Sequence, residues 1–245
     1  LFLARNRVDI AASVGILSSF NSNPGPIHFK AGRRILSYLY GTRKLGFCYG
    51  ANKHHWTAQN YNNCISASVD ADFAGALVCG KSRTGYVVRM YGDTVEALTQ
   101  LQRATTNSTG HAEMKALAHL VRKLTFYRDI LPLFGLEFDP IHPFQVESDS
   151  SAAIALLRRE YIKFSMTHMR TDFYQILEAI QEGLINLGHV PGLSNVADIL
   201  TKVLPPKEHL RHTPRIMNQP RDIDIARIVG ANVSVTSRER TTVHT

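Results

Sequence analysis

The stretch Cys64-Ile65-Ser66-Ala67-Ser68-Val69-Asp70-Ala71-Asp72 reads as a strand that runs into an acid. If the strand continues past Asp70, Asp70 and Asp72 project to the same side, because side chains alternate along a strand. Working outward, Gly75 and Gly80 mark turns. Thr84 to Tyr91 is a second strand with Val87 and Val88 inside it, and Thr94 to Leu98 a third, weaker one. Three strands so closely spaced predict an antiparallel meander. His111 to Leu131 then follows the helical period, with Leu117, Leu120, Leu124, Phe126, Tyr127 and Leu131 on a broad apolar face.

Further downstream, Phe144-Gln145-Val146-Glu147-Ser148-Asp149 is again a strand ending in an acid. Ser150 is placed to cap the helix through Ala152, Ile154, Leu156 and Leu157. Phe173, Ile176, Leu177 and Ile180 give another amphipathic helix, closed by Gly183. Leu184 to Val190 is a strand, Pro191-Gly192 turns the chain, and Val196, Ile199, Leu200 and Val203 define a last helix. The order is three strands, helix, strand, helices, strand, helix. It predicts an α/β fold, a mixed five-stranded sheet with flanking helices.

Four acids recur at equivalent places in that order. Asp70 and Asp149 close strands, while Glu113 and Asp198 stand near helix starts. Glu113 is not needed by the apolar stripe it interrupts, although a glutamate also suits the positive end of a helix dipole. All four can face one cleft edge of the sheet. Carboxylates gathered without basic neighbours repel one another at neutral pH, and divalent cations relieve this. Hard oxygen ligands suit Mg²⁺ or Mn²⁺. Two such ions about 4 Å apart can activate water and stabilise the leaving oxygen in phosphodiester cleavage.

Upstream, Asp9 to Phe20 reads as a helix, Asn21 to Pro26 as a breaker, and Ile27 to Tyr40 as a second helix with Ile27, Ala31, Ile35 and Leu39 on its stripe. Lys30, Arg33 and Arg34 lie away from that stripe. They form a solvated face or one that touches phosphates. Leu45 to Tyr49 is expected as a short strand, and the polar stretch from Gly50 to Asn63 as a linker.

With 245 residues, 44% of them hydrophobic, the chain can bury a sizeable core. Its net charge of +8 helps it collect a polyanion, although a mitochondrial or ribosome-associated protein can be equally basic. Cys48, Cys64 and Cys79 form no C-x-x-C pair, so neither a disulfide framework nor a zinc signature is expected. No apolar run is long enough to cross a membrane. The first residue is Leu1 rather than Met, as expected of a processed product or an excised fragment.

Several stretches together resemble the C-terminal part of the Pol polyprotein of Ty1/copia-type retrotransposons. They are Arg7-Val8-Asp9-Ile10, Ser22-Asn23-Pro24-Gly25-Pro26, Arg34-Ile35-Leu36-Ser37-Tyr38-Leu39 with Gly41-Thr42, and Asp70-Ala71-Asp72-Phe73-Ala74-Gly75. They continue with Lys81-Ser82-Arg83-Thr84-Gly85-Tyr86-Val87, Ala112-Glu113 with Ala116-Leu117, and Asp149 with Ala153-Ile154-Ala155-Leu156. Val196-Ala197-Asp198-Ile199-Leu200-Thr201-Lys202 with Leu204-Pro205 closes the series.

The resemblance implies a ribonuclease H-like sheet whose metal-binding and catalytic acids are Asp70, Glu113, Asp149 and Asp198, with Asp72 secondary. It implies residues 1–50 as a helical segment like the reverse transcriptase connection, 51–63 as a linker, 64–206 as the ribonuclease H-like domain and 207–245 as a basic extension. The expected activity is two-Mg²⁺ hydrolysis of the RNA strand of RNA–DNA hybrids, with Mn²⁺ as a substitute ion. The polymerase palm of the family is not in this sequence.

There are departures from the family pattern. His111 replaces a usual glutamate, Ala97-Leu98 and Leu101-Gln102 replace basic stretches, Ser150-Ser151 replaces Asn-Gln, and the segment near His168 reads Arg170-Thr171-Asp172. They leave a second expectation open: a domesticated, catalytically idle domain that serves as a structural or RNA-contacting subunit of a larger assembly. Expected partners are an RNA–DNA hybrid or structured RNA, and a protein assembly through the N-terminal helices and the C-terminal extension, with no membrane. The expected location is intracellular: cytoplasmic or nuclear for a retroelement product, mitochondrial for a domesticated one with a removed presequence. Within the tail, Ile223, Ile225, Ile228 and Val229 suggest a short helix or a segment that docks on a partner, and 236–245 a flexible end.

Overall fold

The computed structural model describes residues 2–50, 64–76 and 78–220. The linker expected over 51–63, the short helix expected around 223–229 and the flexible end expected over 236–245 lie outside the described residues.

Three helices lead: α1 (Phe2–Asn6), α2 (Ala11–Ser18) and α3 (Pro26–Gly41). The sheet and its covering helices follow as β1 (Ile65–Asp72), β2 (Arg83–Met90), β3 (Asp93–Leu101), α4 (Thr109–Ile130), β4 (Phe144–Ser148), α5 (Ser151–Leu157), α6 (Arg170–Gln181), β5 (Ile185–His189), α7 (Asp198–Thr201) and α8 (Pro206–Ile216). The strands lie in the order β3-β2-β1-β4-β5. The β1–β2–β3 meander is antiparallel, whereas β4 runs parallel to β1, and β5 parallel to β4. The mixed five-stranded α/β sheet expected from the sequence is the sheet that forms.

Its two faces are covered differently. Ala67, Val69, Tyr86 and Val88 pack beneath Leu117, Leu120 and Leu124 of α4 and Phe173 and Ile176 of α6. On the other face Val87 meets Val196, Ile199 and Leu200 around α7, Ile216 and Met217 at the end of α8, and Val8 and Leu45 from the N-terminal segment. Ser108 caps α4 by accepting from the His111 N–H at 3.2 Å, which fixes where the helix carrying Glu113 begins. Phe126, expected on the apolar face of this helix, is exposed instead.

Two further expectations are corrected. Leu45 to Tyr49 pairs with no strand among the described residues. Its backbone is held by the end of α8, where the Gln219 amide donates to the Gly46 carbonyl and the Cys48 N–H donates to the Met217 carbonyl. In α3 the predicted stripe turns inward only in part: Ile35 and Leu39 are half-buried, whereas Ala31 is exposed and Ile27 is 73% exposed. The half-buried positions are His28, Gly32, Ile35, Tyr38 and Leu39. α3 packs on α2 around Gly32, where a β-carbon would meet a methyl of Leu17 in ordinary contact at 3.6 Å. Phe29, Leu36 and Tyr40 stay outside.

The N-terminal segment is joined to the rest by a buried polar cluster. Arg7 grips Asp9 with two hydrogen bonds of 2.9 and 2.8 Å and also donates to Thr42. The Tyr38 hydroxyl donates to Asp9 at 2.7 Å, and His209 of α8 lies 2.8 Å from the Asp9 carbonyl oxygen. Each charge removed from water thus has a partner, without which its burial would be costly.

Candidate metal centre

Because β1 and β4 are parallel neighbours, with Val69 opposite Ser148, the residues that follow each strand position emerge at the same sheet edge. Asp70 and Asp149 are therefore side by side. The second turn of α4 and the first turn of α7 reach that edge with Glu113 and Asp198. Asp70, Glu113 and Asp149 each offer an oxygen, and these oxygens lie within 4.8 Å of one another. Asp198 is beside Asp70 but outside that group of three. Asp72 is likewise outside it, half-buried further along β1, where a β-carbon on Gly75 would collide with its carboxylate.

Three residues of the site were not singled out in the sequence. Lys202 places its ammonium 3.1 Å from Asp198 and 3.8 Å from Asp70, so the carboxylates do have a basic neighbour. Its signal was the four-residue spacing from Asp198, one helical turn. The Thr201 hydroxyl donates to Asp70 Oδ2. Asn195, fully buried, donates at 2.9 Å to the Val69 carbonyl and at 3.3 Å to Asp149 Oδ1, and accepts from the Ala197 N–H. One amide thus ties β1, the end of β4 and the entry to α7. Nothing in its local pattern announced that role.

Burial dominates the electrostatics. It pushes Glu113 up to about 9, with the charges of Asp70 and Asp149 adding to the effect. It pushes Asp198 up to about 7, helped by Asp70 and opposed by Lys202. Asp70 is also raised by burial, against the pull of Lys202 and the Thr201 hydroxyl. Glu113 Oε2 is buried with no hydrogen-bond partner among the described residues. A buried, orphaned oxygen facing two further carboxylates fits a hard divalent cation such as Mg²⁺.

Two residues of the divergent stretches are buried. Gln102 is buried and donates at 3.0 Å to both Thr84 and the Ala112 carbonyl, bracing β2 against α4. His111 is buried with its ring 4.6 Å from that of His168.

No family model matches the chain. The chain is 30% identical over 199 residues to the retrovirus-related Pol polyprotein from transposon TNT 1-94 of Nicotiana tabacum, a match covering 81% of this chain and 14% of that protein. It is 27% identical over 203 residues to the retrovirus-related Pol polyprotein from transposon RE2 of Arabidopsis thaliana, covering 83% and 13%. The chain therefore spans a small part of the length of these relatives. Among solved structures, LC11-RNase H1 isolated from compost by a metagenomic approach is similar at 22% identity and a TM-score of 0.45, over 57% of this chain and 93% of that one.

Proposed function

The chain belongs to the Pol polyproteins of Ty1/copia-type retrotransposons, and from that premise we propose that its carboxylate site is a metal-dependent endonuclease centre for the RNA strand of RNA–DNA hybrids. The observation that carries this reading is the convergence of Asp70, Glu113 and Asp149 oxygens within 4.8 Å, with one buried Glu113 oxygen that has no hydrogen-bond partner among the described residues. When bound, two Mg²⁺ ions supply Lewis-acid charge to a phosphodiester and lower the pKa of a water.

The chain's own residues prepare the site. Asp70, Glu113, Asp149 and Asp198 are the proposed ligands. Thr201 and Asn195 fix the rotamers of Asp70 and Asp149, so little ordering remains when a ligand arrives. Lys202 offsets the charge of Asp70 and Asp198 while no cation is bound. The segment 1–50 is proposed as the counterpart of the reverse transcriptase connection, seated on the nuclease part through Asp9.

The test is cleavage of a labelled RNA–DNA hybrid in Mg²⁺ by the wild type and by Asp149→Asn. Loss of a first ligand is expected to cost more than the roughly 10–100-fold typical of an outer partner. Equal cleavage by both proteins denies Asp149 its role. Absence of metal-dependent cleavage by the wild type sinks the enzymatic reading and leaves the structural or RNA-contacting subunit.

A further inference from the structure

Between Asp9 and Asp70 the sequence contains no aspartate or glutamate, whereas Lys30, Arg33, Arg34, Arg43, Lys44 and Lys53 all fall there. Asp9 itself is buried and occupied by Arg7. Lys30, Arg33 and Arg34 are exposed on α3 and form no ion pair with a carboxylate among the described residues. The same helix holds Phe29 64%, Leu36 62% and Tyr40 51% exposed. Spacings of four, three and four residues put Phe29, Arg33, Leu36 and Tyr40 on one strip, about 16 Å long at 1.5 Å per residue. Arg43 lies over the Tyr40 ring, 4.6 Å from its centroid.

We propose that this face of α3 binds single-stranded nucleic acid, at a surface separate from the carboxylate site. The choice of partner follows from how charge and rings are arranged. A helix lying in a lipid surface separates its apolar face from its cationic one. Here Arg33 sits inside the aromatic strip. Unpaired bases offer π-faces for Phe29 and Tyr40, and the phosphates between them meet the interleaved cations, the combination that sequence-tolerant single-strand binders use. A duplex keeps its bases stacked and offers the rings nothing. Binding at α3 needs none of the four carboxylates.

The test uses the full chain, a labelled single-stranded oligonucleotide and fluorescence anisotropy in EDTA, so that metal-dependent cleavage does not intervene. Arg33→Gln with Arg34→Gln is expected to weaken binding about tenfold near 0.1 M salt and to flatten the log–log salt dependence by about 1.4, at 0.7 per lost phosphate contact. Phe29→Ala with Tyr40→Ala is expected to weaken binding at least about tenfold with an unchanged salt slope, since stacking releases no counterions. These side chains point to solvent, and far-UV circular dichroism verifies the helix in each variant. Wild-type affinity in both double variants overturns the proposal, whatever the hybrid-cleavage assay gives. So does unchanged oligonucleotide affinity accompanied by lost binding to phosphatidylserine vesicles, which makes the face a lipid contact.

Discussion

Burial and the neighbouring aspartates hold Glu113 protonated up to about pH 9 in the metal-free protein. An unfolded glutamate releases its proton near 4.3. The folded chain thus binds this proton more tightly than the unfolded one, and stability falls as pH climbs through that window. Glu113→Gln, which keeps the neutral shape, is expected to stabilise the metal-free protein by a few kcal/mol at pH 8 and by almost nothing at pH 4. Thermal denaturation in EDTA at both pH values checks this, and an equal shift at both defeats it. The same protons must leave when a cation enters, so Mg²⁺ affinity should rise with pH across the window. Lys202 acts in the opposite sense. Lys202→Met removes the ammonium beside Asp70 and Asp198 and is expected to cost ~1 kcal/mol without metal, kept small because the lysine side chain is 41% exposed and screened. Mg²⁺ should then raise the melting temperature of the variant more than that of the wild type. A smaller rise than in the wild type would show that the ammonium and the cation do not share a role.

At the level of elements, α7 is only four residues long, yet it carries Asp198 and Thr201. Its position depends on Gly85 of β2, where a β-carbon would stand 2.6 Å from Thr201 Cγ2 and 2.9 Å from Leu200 Cβ. Gly85→Ala is expected to destabilise the fold by about 1–3 kcal/mol through overpacking and to weaken Mg²⁺ binding by displacing Asp198. Calorimetry should register both losses together, and an unchanged metal affinity would separate α7 from the site. The strands carrying Asp70 and Asp149 were legible because an acid ending an apolar run is conspicuous in sequence. Glu113 was legible because it interrupts an apolar stripe. Asn195 was not, since its partners on β1 and after β4 are distant in sequence. The inward face of α3 was legible only in part, at Ile35 and Leu39. Periodicity finds a stripe, but the helix's rotation about its own axis is set by its packing against α2. Leu45 to Tyr49 resembles a strand in composition, but its backbone is satisfied by the Gln219 side chain and the Met217 carbonyl, both distant in sequence.

Over the whole molecule, the second hydrophobic cluster unites residues from both ends of the described chain. Val8 and Leu45 lie with Ile216 and Met217, and β2 and α7 fill the space between. Asn218 adds a clamp on β3, accepting from the Thr94 N–H at 2.6 Å and donating to its carbonyl at 3.1 Å. A chain ending at Pro205 is expected to lose hydrogen-exchange protection in α2 and α3 while β1, β2 and β4 stay protected beneath α4. Unchanged protection in α2 and α3 would show that α8 does not hold them. The clamp also orders events during synthesis. A ribosome delivers the amino terminus first, so the Asp9 carbonyl waits for His209, the Gly46 carbonyl for Gln219 and the Thr94 amide for Asn218. The meander and α4 can emerge and pack while Val8 and Leu45 are still uncovered. For that interval the nascent chain shows a chaperone an open apolar seam, and the arrival of α8 closes it.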